Sequence, residues 1–319
     1  MRLLSDKPYI LLVPAMEFRK IQFTGRSSYI ISLPKKWVLE HGLKQGDTIP
    51  LAINPDGSIT IFPREPREVS ERKILNISRE FSPDMAIRLV ISAYIQGYDV
   101  LEITFAGEMP IYKVKVRKVL QSLPGVEIIL DEPARIVAKS LLDEDEINIS
   151  ELLGRIRSLI VSMLGDLEML ISSPGDDEIL RDIGDLENEL DRFYFLIIRA
   201  VNRLLSRRSV TEESGIIGRT FDLLGILFIV RNIERIGDHI TRIAENPGEI
   251  NVPYLREKFV EMMKQIEERD LRKIDRLMLE LKEEIRSVDH RSSMALESYR
   301  RILEYLENIG ETIINMALS

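Results

Sequence analysis

Residues 226–243 read Ile226-Leu227-Phe228-Ile229-Val230-Arg231-Asn232-Ile233-Glu234-Arg235-Ile236-Gly237-Asp238-His239-Ile240-Thr241-Arg242-Ile243. Ile226, Ile229, Ile233, Ile236, Ile240 and Ile243 step by 3, 4, 3, 4 and 3. That spacing is the apolar seam of a helix packed along a bundle axis. Part of the stretch recurs: 233–240 is matched by Leu306-Glu307-Asn308-Ile309-Gly310-Glu311-Thr312-Ile313. A weaker pair is Leu190-Asp191-Arg192-Phe193 and Ile274-Asp275-Arg276-Leu277. Two copies in the same order predict two related three-helix units.

The repeated helix also carries the strongest chemical signal. Glu234 and Asp238 are four apart, one turn above each other on one face. Like charges at that spacing destabilise an isolated helix by roughly 0.2–0.5 kcal/mol. A hard cation held by both carboxylates would offset that cost. Between them sits Gly237, although Gly inside a helix costs about 1 kcal/mol relative to Ala; a missing Cβ admits a close neighbour or a ligand. Glu307, Gly310 and Glu311 repeat the pattern, and Glu187 and Asp191 form a further acidic pair one turn apart. The competing reading is a solvated face, with Arg231 and Arg235 as ordinary surface partners worth about 0–1 kcal/mol each.

Outward from this stretch, residues 147–319 read as helices near 149–172, 176–206, 213–246, 253–268, 270–288 and 290–317, with breaks at Pro174-Gly175 and Asn246-Pro247-Gly248. Residues 67–146 alternate. Strands are expected at 73–77, 99–105, 126–130 and 135–140, and helices at 82–96 and 111–123, giving a small α/β sandwich with helices on one face. Residues 17–66 read as short strands at 19–24, 29–33, 48–53 and 58–62, around one helix at 34–41. The tract 9–16 is short and contains Pro14, so it does not read as a signal peptide, and residues 1–15 read as an extension outside the fold. The expected domains are therefore 1–66, 67–146 and 147–319, a multidomain α+β chain.

Composition narrows the chemistry. Among 319 residues there is no Cys and there are three His. Disulfides, thiolate–zinc sites, iron–sulfur clusters and thiol nucleophiles are excluded, and any metal would rest mostly on carboxylates. The longest apolar run, 223–230, ends at Arg231, well short of the roughly 18 residues of a spanning helix; the cytoplasm is the expected location. Residues 1–70 hold ten Lys and Arg against seven Asp and Glu, while the remaining 249 hold 34 against 45. A mildly basic head suits an anionic partner, and an acidic body suits cations or basic partners. No G-x-x-x-x-G-K-[ST] loop and no G-x-S-x-G elbow is present, and Gly215-Ile216-Ile217-Gly218 lacks the third Gly and the preceding strand of a nucleotide fingerprint. His41, His239 and His290 stand apart in sequence. His239 follows Asp238 and could orient a ligand carboxylate, or could simply be solvated.

Two resemblances add to this reading. Glu234-Arg235-Ile236-Gly237-Asp238-His239, followed by Ile243-Ala244-Glu245-Asn246, resembles the signature of PhoU phosphate-uptake regulators. The resemblance covers about 147–319. It implies a body of two three-helix bundles, an all-α double bundle whose acid-x-x-x-acid motifs bind divalent or trivalent metal ions: iron, magnesium, manganese or zinc. The matching metal positions are Glu187, Asp191, Glu234, Asp238, Glu307 and Glu311. Glu311 stands where the family has Asp, and Leu271 falls near the place equivalent to Glu187. Such proteins relay phosphate status between a transporter and its sensor or regulator and are not known as enzymes.

The head, with Arg19-Lys20-Ile21, Gly25-Arg26, Ile31-Ser32-Leu33-Pro34-Lys35-Lys36-Trp37 and Gly42-Leu43-Lys44-Gln45-Gly46-Asp47, resembles the SpoVT–AbrB family over about 17–63. That resemblance implies a swapped-hairpin β-barrel completed in a homodimer, with DNA contacted from Arg19, Lys20 and Arg26. Lys35 and Lys36 stand in for basic residues that the family carries later in the short helix, where this chain has Val38 and Leu39. Three readings stay open: a DNA-binding adaptor with a metal-bearing body, a dimeric interaction protein that docks on a phosphate transporter or its sensor, and a carboxylate-bridged metalloenzyme. The last lacks the Glu-x-x-His ligation that would support it.

Overall fold

The computed structural model describes residues 17–25, 28–53, 57–64, 71–143, 147–173, 175–207 and 216–318. The chain divides into two compact units, residues 1–67 and 68–319.

The first unit contains two hairpins. Strand β1 (Gln22–Thr24) pairs antiparallel with β2 (Ser28–Ile30), and β3 (Leu51–Ile53) with β4 (Ile59–Ile61). Helix α1 (Lys35–Glu40) lies between them in sequence, with Pro34 just before its first turn and Gly42 past its end at φ +68°. Each strand is only three residues long, shorter than the sequence pattern suggests. The reason is visible in the burial. Among the described residues of this unit none is buried, and Phe18 and Ile53 are 92% and 77% exposed. Isolated two-stranded hairpins are marginal in water and need a further apolar layer.

The second unit holds two hydrophobic cores. The smaller is built from β5 (Arg72–Ile77), α2 (Pro83–Ile95), β6 (Val100–Phe105), α3 (Pro110–Ser122), β7 (Val126–Glu132) and β8 (Arg135–Ser140). The sheet order is β5-β6-β8-β7, with β5 parallel to β6 and the other pairs antiparallel. Alternate residues Leu101, Ile103 and Phe105 are buried with Val90 of α2 and Val116 and Leu120 of α3, so both helices cover one face. Ser82 caps α2, its hydroxyl accepting from the Met85 amide at 3.1 Å.

The larger core is all-helical: α4 (Ile149–Ser172), α5 (Asp177–Arg207), α6 (Thr220–Glu245), α7 (Val252–Glu268), α8 (Leu271–Ser287) and α9 (Met294–Leu318). Helices α4, α5 and α6 pack on one another; α7 and α8 pack on α9, and α6 packs along α9. Every isoleucine of the α6 seam is buried. Among the described residues no helix is long and apolar enough to cross a membrane.

Two helices begin later than their periodicity suggests, for identifiable reasons. Helix α6 starts at Thr220, not near 213, and residues 208–215 lie outside the described ones. Buried Asp222 accepts from the amides of Gly218 at 2.9 Å and Arg219 at 3.0 Å, and pairs with Arg269 at 3.0 Å. These bonds hold Ile216 and Ile217 in the core as an irregular segment, even though their side chains suit a helix. Helix α9 starts at Met294 because the Ser293 hydroxyl accepts from the Leu296 amide at 3.1 Å, an N-cap that ends the preceding turn.

The two cores of this unit are clamped together. Arg199 of α5 is fully buried and donates to the carbonyls of Tyr94 at 2.7 Å and Tyr98 at 3.0 Å, and pairs with Asp99 at 3.2 Å. Asn202 donates to the Ile95 carbonyl at 3.3 Å. The last carbonyls of α2, which a helix cannot satisfy itself, are thus taken up by the helical body.

Candidate functional site

Helices α5 and α6 meet where Leu190 of α5 faces Gly237 of α6. A Cβ built on Gly237 would stand 2.4 Å from Leu190 Cδ2. The glycine therefore serves close packing against a side chain, and the same holds for Gly225 against Met316 and Gly310 against Met262 and Met278. Leu190 lies between Glu187 and Asp191 in sequence, and Gly237 between Glu234 and Asp238. Their contact sets the two acidic pairs level across one seam.

Burial and neighbouring carboxylates together act on Glu187, Asp191 and Glu234. Burial pushes Asp191 up to about 7, with Glu187 and Asp238 adding to it and Arg231 opposing. Burial likewise pushes Glu234 up to about 7, with Asp238 and Asp191 adding and Arg231 and Arg235 opposing. Glu187 is raised by burial first, then by Asp238 and Glu234. The side chain of Glu234 is only 14% exposed. These are not the fully solvated helix-face acids of the competing reading. Arginines are present as that reading expects: Arg231 Nη1 lies 3.2 Å from Glu234 Oε2, and Arg235 lies 3.7 Å from Glu234 and 3.6 Å from Asp238. Arg231 Nη1 also donates to the Tyr194 hydroxyl at 3.2 Å.

The donors of the seam are all carboxylate oxygens, which fits a hard cation. Among the described residues no three acidic or imidazole side chains are yet drawn together as a ready ligand shell, so side-chain rotation would have to close the site. The second acidic set is placed differently. Glu307 pairs with Lys282 of α8 at 3.3 Å, Glu311 is exposed, and so is Asp275.

His239 is neither solvated nor turned to the carboxylates. It is 8% exposed, its ring centroid lies 5.7 Å from that of Tyr305 on α9, and its Nδ1 is buried with no hydrogen-bond partner. Burial, then Arg242, Arg301 and Arg235, lowers its pKa to about 4. His41 donates from Nδ1 to the Trp37 carbonyl at 2.8 Å, which caps α1; His290 is half-buried.

In the head, Lys20 and Lys35 are exposed. Arg19 is ion-paired with Glu17, and Lys36 lies 3.8 Å from Glu40. Arg26 lies outside the described residues.

Sequence reasoning missed several polar centres: Tyr194 beside the seam, the Arg269–Asp222 pair, buried Arg199, and Lys258. Lys258 is buried among Glu280 at 2.6 Å, Glu257 at 2.9 Å and Glu261 at 3.2 Å. The Glu257-Lys258-x-x-Glu261 spacing was legible; the contribution of Glu280 from the next helix was not.

The model of the PhoU domain matches residues 153–246, the stretch that holds α4, α5, α6 and the whole seam. This stretch of the chain is similar to the PhoU domain. Residues 22–69 match a second family model, the bacterial antitoxin MazE, described as antidote–toxin recognition. No curated protein matches the chain. Solved structures that resemble it include two PhoU proteins. PhoU from Pseudomonas aeruginosa is 18% identical, covering 53% of this chain and 92% of that one at a TM-score of 0.35. The phosphate transport system regulatory protein PhoU from Streptococcus pneumoniae is 16% identical, covering 53% and 89% at 0.35. The four seam carboxylates all fall inside the residues that the PhoU model matches; Glu307 and Glu311 fall beyond them.

Proposed function

We propose that the chain regulates inorganic phosphate uptake and phosphate homeostasis, with the α5–α6 seam of its PhoU-like domain as a metal-binding sensor element. The observation that carries this reading is the juxtaposition of Glu187, Asp191, Glu234 and Asp238, half-buried and mutually repelling, inside the matched domain. A bound hard cation would supply the positive charge that holds these acids ionised. The chain's own part is to present oxygen donors from two helices locked in register by Leu190 and Gly237. Glu307 and Glu311 would form at most a weaker second site, since Lys282 already neutralises Glu307.

The head joins two copies. Its hairpins expose Phe23, Tyr29, Leu51 and Ile53 and bury nothing among the described residues; a second copy of the same hairpins supplies the missing apolar layer. In that dimer Arg19, Lys20, Arg26, Lys35 and Lys36 contact DNA, and affinity falls steeply with salt. The second reading, a dimeric adaptor that docks on a phosphate transporter or its sensor without binding DNA, is favoured by the carboxylates that already occupy Arg19 and Lys36.

Metal analysis of the purified chain beside a Glu234→Ala/Asp238→Ala double variant tests the body. Equal metal in both would sink the site. Gel shifts at two salt concentrations separate the DNA reading from the adaptor reading, and phosphate-transporter expression in a deletion strain tests the pathway.

A further inference from the structure

We infer that Arg231 is the resident counter-ion of the α5–α6 seam and that an incoming cation displaces it from Glu234. The inference rests on the reading of the seam as a metal site and adds a residue that governs its affinity.

The geometry is specific. Arg231 stands one turn before Glu234 on α6, with Nη1 3.2 Å from Glu234 Oε2. The same nitrogen donates to the Tyr194 hydroxyl on α5 at 3.2 Å, and the guanidinium lies 5.8 Å from the centroid of that ring. Arg231 therefore bridges the two helices that supply the carboxylates, and Tyr194 gives it an anchor that does not depend on Glu234. Its side chain is 47% exposed, so a path outward is open. Arg235 also lies nearby, but it reaches Glu234 and Asp238 only at 3.7 and 3.6 Å, and among the described residues it makes no further contact across the seam.

A divalent cation bound at Glu234 Oε2 competes with the Arg231 hydrogen bond at that oxygen and repels the guanidinium in this half-buried setting. In the metal-free chain Arg231 offsets the mutual repulsion of the acids. When metal binds Glu234, that hydrogen bond is exchanged for a metal–oxygen bond and Arg231 moves away, still tethered beside Tyr194. Arg231 thereby tunes the site: it keeps the empty seam stable and lowers affinity for the cation. The opposite role would have Arg231 hold Glu234 in a metal-ready orientation, so that its loss weakens binding.

The test is a calorimetric titration of Mn²⁺ into the chelator-stripped full chain, comparing wild type, Arg231→Leu, Arg231→Lys and Glu234→Gln, each checked for native helicity. Tyrosine absorbance is followed in parallel, with Tyr194→Phe as the reference. Expected are binding by wild type, loss of binding in Glu234→Gln, and about tenfold tighter binding in Arg231→Leu, the size of one charge-assisted hydrogen bond. Arg231→Lys, which keeps the charge, should return towards wild type. Mn²⁺ should shift the Tyr194 signal in wild type and leave it nearly unchanged in Arg231→Leu. Unchanged or weaker binding in Arg231→Leu, with Glu234→Gln still inactive, would overturn the displacement and leave the site standing. Wild-type affinity in Glu234→Gln, or no binding by wild type, would overturn the site itself and the inference with it.

Discussion

Replacing Gly237 by Ala tests the idea that this glycine exists for helix packing. Ala would gain about 1 kcal/mol in helix propensity. Against this, its Cβ would stand 2.4 Å from Cδ2 of Leu190, which is itself buried in the core. Forcing a methyl into a filled core costs about 1–3 kcal/mol. The net expectation is a loss of about 1 kcal/mol, read from urea unfolding followed by far-ultraviolet circular dichroism. A double variant makes the reasoning sharper. With Leu190→Ala already present the obstruction is gone, so adding Gly237→Ala should become neutral or stabilising by up to about 1 kcal/mol. The effect should be the same in chelator and in Mn²⁺. Gly237→Ala that stabilises the chain while Leu190 is intact would refute the packing argument. A loss seen only in the presence of metal would show instead that the glycine makes room for a ligand.

Other expectations follow from the same coordinates. In chelator, Asp191 and Glu234 should make stability fall as pH rises from about 4 through about 7, partly offset by His239, whose lowered pKa of about 4 acts in the opposite sense over the lower part of that window. Asp191 and Glu234 have folded pKa values of about 7, above their ordinary range, so at these two groups the folded state binds more protons than the unfolded one across that window; thermal melts should show the slope, flattened in Asp191→Asn/Glu234→Gln. Arg269→Ala should cost about 3 kcal/mol, because it strands the buried Asp222 carboxylate and removes bonds to the Met316 and Ile216 carbonyls. Arg269→Ala unfolding like wild type would contradict that account. Ile53→Glu should convert a dimer to a monomer in sedimentation velocity while leaving helicity intact; a side chain facing water in the assembled protein would tolerate the change.

The sequence carried the helical body well because its signal is periodic. The seam in α6, the repeat in α9 and the acidic spacing at Glu187, Asp191, Glu234 and Asp238 are local patterns that packing preserves. The starts of α6 and α9 were harder to read, since each is set by a capping or ion-pair contact, and for α6 the decisive partner, Arg269, lies 47 residues from Asp222. Tyr194, Arg199 and Lys258 escaped for the same reason: a lone polar residue on a helix looks solvated until a second element covers it. His239 is the clearest case. Its neighbours in sequence suggested a role at the carboxylates, but the helix turns it towards Tyr305. In the head, strand-like composition was legible, but strand length was not, because the hairpins bury none of their described residues.

The central claim is that Glu187, Asp191, Glu234 and Asp238 close around a hard cation. Anomalous diffraction from a crystal of the full chain soaked in Mn²⁺ tests it most directly. The account predicts one strong peak between α5 and α6, within coordination distance of oxygens from both helices. An α5–α6 seam without such a peak, with Arg231 still seated on Glu234, would contradict it.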